Sequence, residues 1–130
     1  MPVVVPNVAE SLVLNSFLKS ANLFLALYSN NVTPGETDTF ATYTPVTGGG
    51  YALKTLVAAS WTITAGAPSF GLYAQQTFSF TGATGAPGVI YGCYIYDASN
   101  VLRFAQRFDV VPFTPRAGAT IRITPRLEAS

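Results

Sequence analysis

The side chains able to do chemistry are few, and their spacing suits it poorly. The chain carries seven Lys and Arg, six Asp and Glu and no histidine in 130 residues. Histidine is the side chain best matched to proton transfer near pH 7. Without it, neither the serines nor the single cysteine, Cys93, has the usual base to activate a nucleophile. A glycosidase needs two carboxylates facing each other across a cleft, and Asp97 with Asp109 is the one pair at predicted strand ends. Asp97 reads better as a turn former and Asp109 as a partner for a nearby arginine. Glu36 and Asp38 are spaced to share a loop and a calcium ion, but two acids fall short of the roughly six oxygens that ion takes. The Gly48, Gly49, Gly50 run lacks the Lys-Ser/Thr ending of a phosphate loop and precedes a strand, so it reads as a bend. The expectation is a protein that is not an enzyme and uses no metal and no cofactor.

The elements that position these groups are mostly short strands. Thr, Tyr, Phe and Val alternate with Gly, Pro and Asn clusters, the pattern of strands joined by tight turns. Pro2, Val3, Val4, Val5 and Pro6 predict an extended arm, because the prolines bias the segment away from helix. Asn7 then reads as an N-cap, with Glu10 completing a capping box and Val8, Leu12, Leu14, Phe17 and Leu18 giving an imperfect apolar stripe through Ser20. Beyond it, strands are predicted over 23–28, 39–44 (an edge strand stopped by Pro45), 51–58, 60–64, 72–81, 89–97, 101–109 and 119–127. In 72–81, Leu72, Ala74, Phe78 and Phe80 are expected inward and Tyr73 outward. Pro68–Gly71 is expected to be a loop. A hairpin turns about Asp97–Asn100. This predicts a mainly β fold, an antiparallel β-sandwich or jelly-roll-like barrel of about eight strands. The expected organisation is an arm over 1–6 and one domain over 7–130, with one short N-terminal helix.

Composition bears on partners. With 49% apolar and 10% charged residues, a free monomer would tend to associate, which points to a surface covered in use. The net charge of +1 argues against nucleic-acid binding. Through Asn100, Lys19 and Lys54 stand against Glu10, Glu36, Asp38 and Asp97, a net of −2. From Val101 on, Arg103, Arg107, Arg116, Arg122 and Arg126 stand against Asp109 and Glu128, a net of +3. These arginines either solvate one face of the last strands or form a cationic seam for an acidic partner. Arg103, Arg107 and Arg122 are the interface candidates among them. Tyr94 and Tyr96 share a face opposite Tyr91, Cys93 and Ile95, for cross-strand packing, subunit contact or sugar binding. One cysteine allows no intrachain disulfide, and Cys93 reads as a small buried hydrophobe. No signal-peptide n-region is visible in Met1–Pro6. No apolar run reaches the roughly 18–20 residues needed to span a bilayer.

The layout resembles a known group. The helix is followed by NLFLALYSNN over Asn22–Asn31, Thr33 with Pro34, GYALKTL over Gly50–Leu56 and a strand with Trp61. Then come QTFSFT over Gln76–Thr81, VIYGCYIYD over Val89–Asp97 and GATIRITP over Gly118–Pro125. From Asn7 to Leu127 it resembles small virion structural proteins of tailed bacteriophages, best fitting a capsid decoration (cement) protein. The resemblance implies a non-enzymatic, trimeric homo-oligomer on the capsid surface, bound to the major capsid protein and stabilising the head, with no nucleic acid or membrane as partner. A tail, neck or baseplate ring component and a glycan-binding host-recognition module are the alternatives.

Overall fold

Where apolar residues run without interruption, the strand is buried on both faces. Such a run is Leu23–Tyr28 (β1), whose side chains are almost all buried. The structure, a computed structural model, describes residues 6–129. The predicted arm residues Pro2, Val3, Val4 and Val5 lie outside the described residues. Those described form one α-helix, α1 (Asn7–Lys19), and nine strands in antiparallel pairings, a mainly β fold as the alternation predicts. After β1 come β2 (Lys54–Leu56), β3 (Thr62–Thr64), β4 (Ser69–Leu72) and β5 (Gln76–Ser79). They are followed by β6 (Gly92–Asp97), β7 (Leu102–Arg107), β8 (Thr120–Ile123) and β9 (Arg126–Ala129). No helix among the described residues is long and apolar enough to cross a membrane. The chain gathers into two compact units.

Of the described residues, the first unit holds 6–22, 56–76 and 123–129. Its sheet runs β3-β4-β9, with Gly71 of β4 opposite Ile63 and Leu127. Helix α1 packs on this sheet through Leu14 and Leu18. Its entry differs from the expectation, since Pro6 is the N-cap and Asn7 the first helical residue. The Glu10 amide bonds the Pro6 carbonyl at 3.0 Å, while the Glu10 carboxylate is buried and accepts from Ser69 Oγ at 3.4 Å. The inward face is therefore Glu10, Leu14 and Leu18, at i, i+4 and i+8. Val8 and Leu12, expected inward, are 68% and 65% exposed. Gly71 admits Leu18, because a Cβ there would overlap the leucine's Cδ1. Residues 69–72, read as loop and strand start, form β4, and the predicted inward phase breaks after it. Tyr73 is buried, its hydroxyl oxygen accepting from the Val57 amide at 2.9 Å, whereas Ala74 is exposed.

Trp61 stands edge-on to Tyr73 with ring centroids 5.2 Å apart and is 3% exposed. Truncating so large a buried ring leaves a cavity, so Trp61→Ala is expected to cost about 3–5 kcal/mol in denaturant unfolding. A loss under about 1 kcal/mol would put the ring outside the core.

The second unit holds residues 23–55 and 77–122. Its sheet runs β2-β1-β6-β7, and β5 pairs with β8 in a two-stranded ladder. The β1–β6 register runs from Leu23 opposite Asp97 to Tyr28 opposite Gly92. The β6–β7 hairpin forms where Asp97–Asn100 predicts it. Asn100 takes the left-handed conformation, φ 59°, that asparagine tolerates. Asp97 Oδ1 accepts from the Ser99 and Val101 amides at 2.9 and 3.0 Å. The predicted edge strand over 39–44 is instead a 3₁₀ turn at Phe40–Thr42, because the Thr39 amide donates to Thr42 Oγ1 at 3.0 Å. Gly48, Gly49 and Gly50 all have positive φ. A Cβ on Gly49 would lie 2.8 Å from the Gly82 carbonyl oxygen. The glycine run is thus a bend packed against backbone.

Candidate interaction site

Tyr28, Phe40, Tyr43, Tyr94 and Tyr96 of the second unit converge on one face of the β1–β6–β7 sheet. Alternation puts Ala26 and Tyr28 of β1 on the same face as Tyr94 and Tyr96 of β6. Tyr43 stacks on Tyr94 at 5.2 Å and meets Tyr28 at 4.9 Å. Phe40 stands edge-on to Tyr96 at 4.7 Å. The segment carrying Phe40 and Tyr43, residues 29–45, is held over this face by polar pins. Asn30 brackets it, donating to the Thr42 carbonyl at 2.9 Å and accepting from the Thr44 amide at 2.8 Å. The Val32 carbonyl accepts from Tyr28 Oη at 3.2 Å and Arg107 Nη1 at 3.1 Å. Asp38 Oδ2 accepts from the Gly35 amide at 2.8 Å and Tyr43 Oη at 2.7 Å.

These bonds set the ionisation of the site. Donation from the Tyr43 hydroxyl, then from the Gly35 amide, holds the Asp38 carboxyl below its usual range. Burial, then the bond to Asp38, pushes the Tyr43 phenol up. Asp97 is likewise lowered, first by the Val101 amide and then by the Arg103 guanidinium. Burial pushes the Cys93 thiol up to about 12, so it is an unreactive core residue.

Between residues 34–38 and β7 lies an open cleft of about 410 Å³, with Tyr43 in its wall and Leu102, Arg103, Phe104 and Ala105 along one side. Successive strand residues point to opposite faces, so a cleft touching four in a row runs along the strand's edge. β7 is the last strand of its sheet, which leaves one row of its peptide groups without a ladder partner among the described residues. Glu36 is exposed at the rim.

The interface candidates separate. Tyr94 is no surface residue: at 1% exposure it is enclosed by Tyr28, Tyr43 and Tyr96. Tyr96 is half-buried in the same cluster. Arg103 bonds Asp97 Oδ2 at 2.9 Å, and the Arg107 guanidinium lies 5.2 Å from the Tyr91 ring centre. Both arginines are half-buried and engaged within the chain. Arg122 and Pro6 are exposed. Asp97 and Asp109 sit at opposite ends of the β7 arm of the hairpin, separated by about 20 Å of strand, too far to act as a glycosidase pair. Among the described residues, no three His, Cys, Asp or Glu side chains gather as metal ligands.

Two features have no counterpart in the sequence reading: the cleft along β7, and the outward face of α1, where Val8, Leu12 and Val13 are 68%, 65% and 59% exposed. The four-residue spacing of Glu10, Leu14 and Leu18 marks the opposite, inward face of the helix, a signal masked because Glu10 is acidic. No protein-family model, curated protein or solved structure matches the chain.

Proposed function

We propose that this chain is a non-enzymatic structural protein of a tailed-phage virion, of the capsid decoration type. It binds the major capsid protein as a homotrimer on the outside of the head and reinforces the shell. Many modest contacts repeated over a closed surface add up to strong attachment. The observation that carries this reading is the outward face of α1. Val8, Leu12 and Val13 expose an apolar patch directly after the apolar segment Pro2–Pro6, and apolar surface of this kind marks a contact. The scarcity of proton-handling groups and the resemblance of the strand pattern support it further.

Imaging of intact particles at subnanometre resolution tests it. The expected result is copies on the order of hundreds spread over the head, against about a dozen or fewer for a ring on the tail axis. Leu12→Lys is expected to lower particle occupancy while leaving the circular dichroism of the free protein unchanged. Particles that lack the protein, or carry it only on the tail, would overturn the capsid assignment.

A further inference from the structure

We propose that the cleft beside β7 is the acceptor half of a contact between copies of this chain, in which β8 of a second copy lays its edge along β7 and brings Arg122 onto Glu36. Three observations converge. The first is the acceptor edge: β7 ends its sheet, and the cleft follows it over Leu102–Ala105, a length of four residues. The second is the donor edge. β8 is itself four residues long and belongs to a two-stranded ladder, so its far side has no ladder partner among the described residues. Joining two such edges satisfies both rows of peptide groups.

The third observation is charge. The cleft carries two acids, Asp38, held ionised by its hydrogen bonds, and Glu36, exposed beside it, against one guanidinium, Arg103, which is engaged by Asp97. Neither acid forms an ion pair with a cation among the described residues. On β8, Thr120 and Arg122 are exposed while Ile121 and Ile123 are half-buried, so Arg122 is presented with its charge unspent. Opposite charges across such a rim steer the encounter and fix the register, while like charges penalise wrong pairings. Because donor and acceptor are different surfaces, each copy offers both, and the contact is head-to-tail. Contacts of that kind close into a ring when the rotation permits. The contact deepens the trimer reading above and rests on it only for the number of copies.

Charge exchange on the full-length chain tests it. Glu36→Arg and Arg122→Glu change exposed side chains, so each variant should keep the parent's circular dichroism. Sedimentation at micromolar concentration is expected to show an oligomer for the parent. For each single variant the dissociation constant should rise about tenfold or more. The double variant, with the pair reversed, should return to within a few-fold of the parent. Singles that assemble like the parent, or a double no better than the singles, would overturn the contact. So would a monomeric parent. If Glu36→Arg then lowered particle occupancy, the cleft's occupant would be a basic segment of another protein. Occupancy of particles by the parent chain tests the decoration reading separately, so the two fail independently.

Discussion

Tyr28→Ala is expected to destabilise the second unit by about 3–5 kcal/mol, the range for emptying a large aromatic site. Tyr28 has no exposed surface, lies 4.9 Å from Tyr43 and 6.4 Å from Tyr94, and its hydroxyl donates to the Val32 carbonyl. Across the ladder it pairs with Gly92. A Cβ on Gly92 would fall 2.6 Å from Tyr28 Oη and overlap the Gln106 carbonyl oxygen. The ring thus fills the space that the glycine leaves, and truncation opens a cavity that backbone on both sides prevents from closing. Tyr28→Phe separates the terms: it keeps the ring and removes only the hydroxyl bond, for about 1 kcal/mol. Gly92→Ala is the converse and should cost about 1–3 kcal/mol by overpacking. Denaturant midpoints for the three variants check this order. A Tyr28→Ala loss no larger than that of Tyr28→Phe would show that the ring is not packed as described.

Much of this face was legible in the sequence, because alternation is a local signal. The runs over 23–28 and 89–97 announced their strands, and Asp97 and Asn100 announced the turn between β6 and β7. What alternation cannot supply is which side of a strand faces solvent. Tyr94 read as a contact residue because tyrosine suits an exposed face. It is buried because residues 29–45 fold over it, and that depends on Asn30 reaching the Thr42 and Thr44 backbone and on Arg107, 75 residues on, reaching the Val32 carbonyl. The same limit applied to α1, which is apolar on two sides. The sheet that receives Leu14 and Leu18, with Ser69 placed 59 residues from Glu10, makes the acidic side the inner one. The cleft along β7 was illegible for a related reason, since an edge strand differs from a central one only in what fails to pair with it.

Those buried phenols also set the alkaline limit of the fold. Burial pushes Tyr28 up to about 12 despite the nearby Arg107, which pulls the other way. Burial raises Tyr51 to about 12 as well, although the Leu27 amide donates to its oxygen and offsets part of the rise. Tyr43 and Tyr94 move in the same direction, again through burial first. In the unfolded chain these groups ionise near their ordinary value of about 10. A group whose folded value lies above its unfolded one contributes stability that is whole below about 10 and is lost as pH rises through about 12. At about 1.4 kcal/mol per unit, Tyr28 and Tyr51 each withdraw up to about 3 kcal/mol, less to the extent that solvent screens the phenol. That sum is comparable with the entire stability of a small domain, about 5–15 kcal/mol. Unfolding is therefore expected between about pH 10 and pH 12, with the rise in tyrosinate absorbance and the loss of β circular dichroism coinciding in one cooperative step. Tyr28→Phe, lacking one of the phenols, should reduce the steepness of that step even though it starts from lower stability. If most of the phenols instead ionised near their ordinary value while the strands stayed intact, the rings would be in water, and the packing of residues 29–45 over the sheet would be wrong.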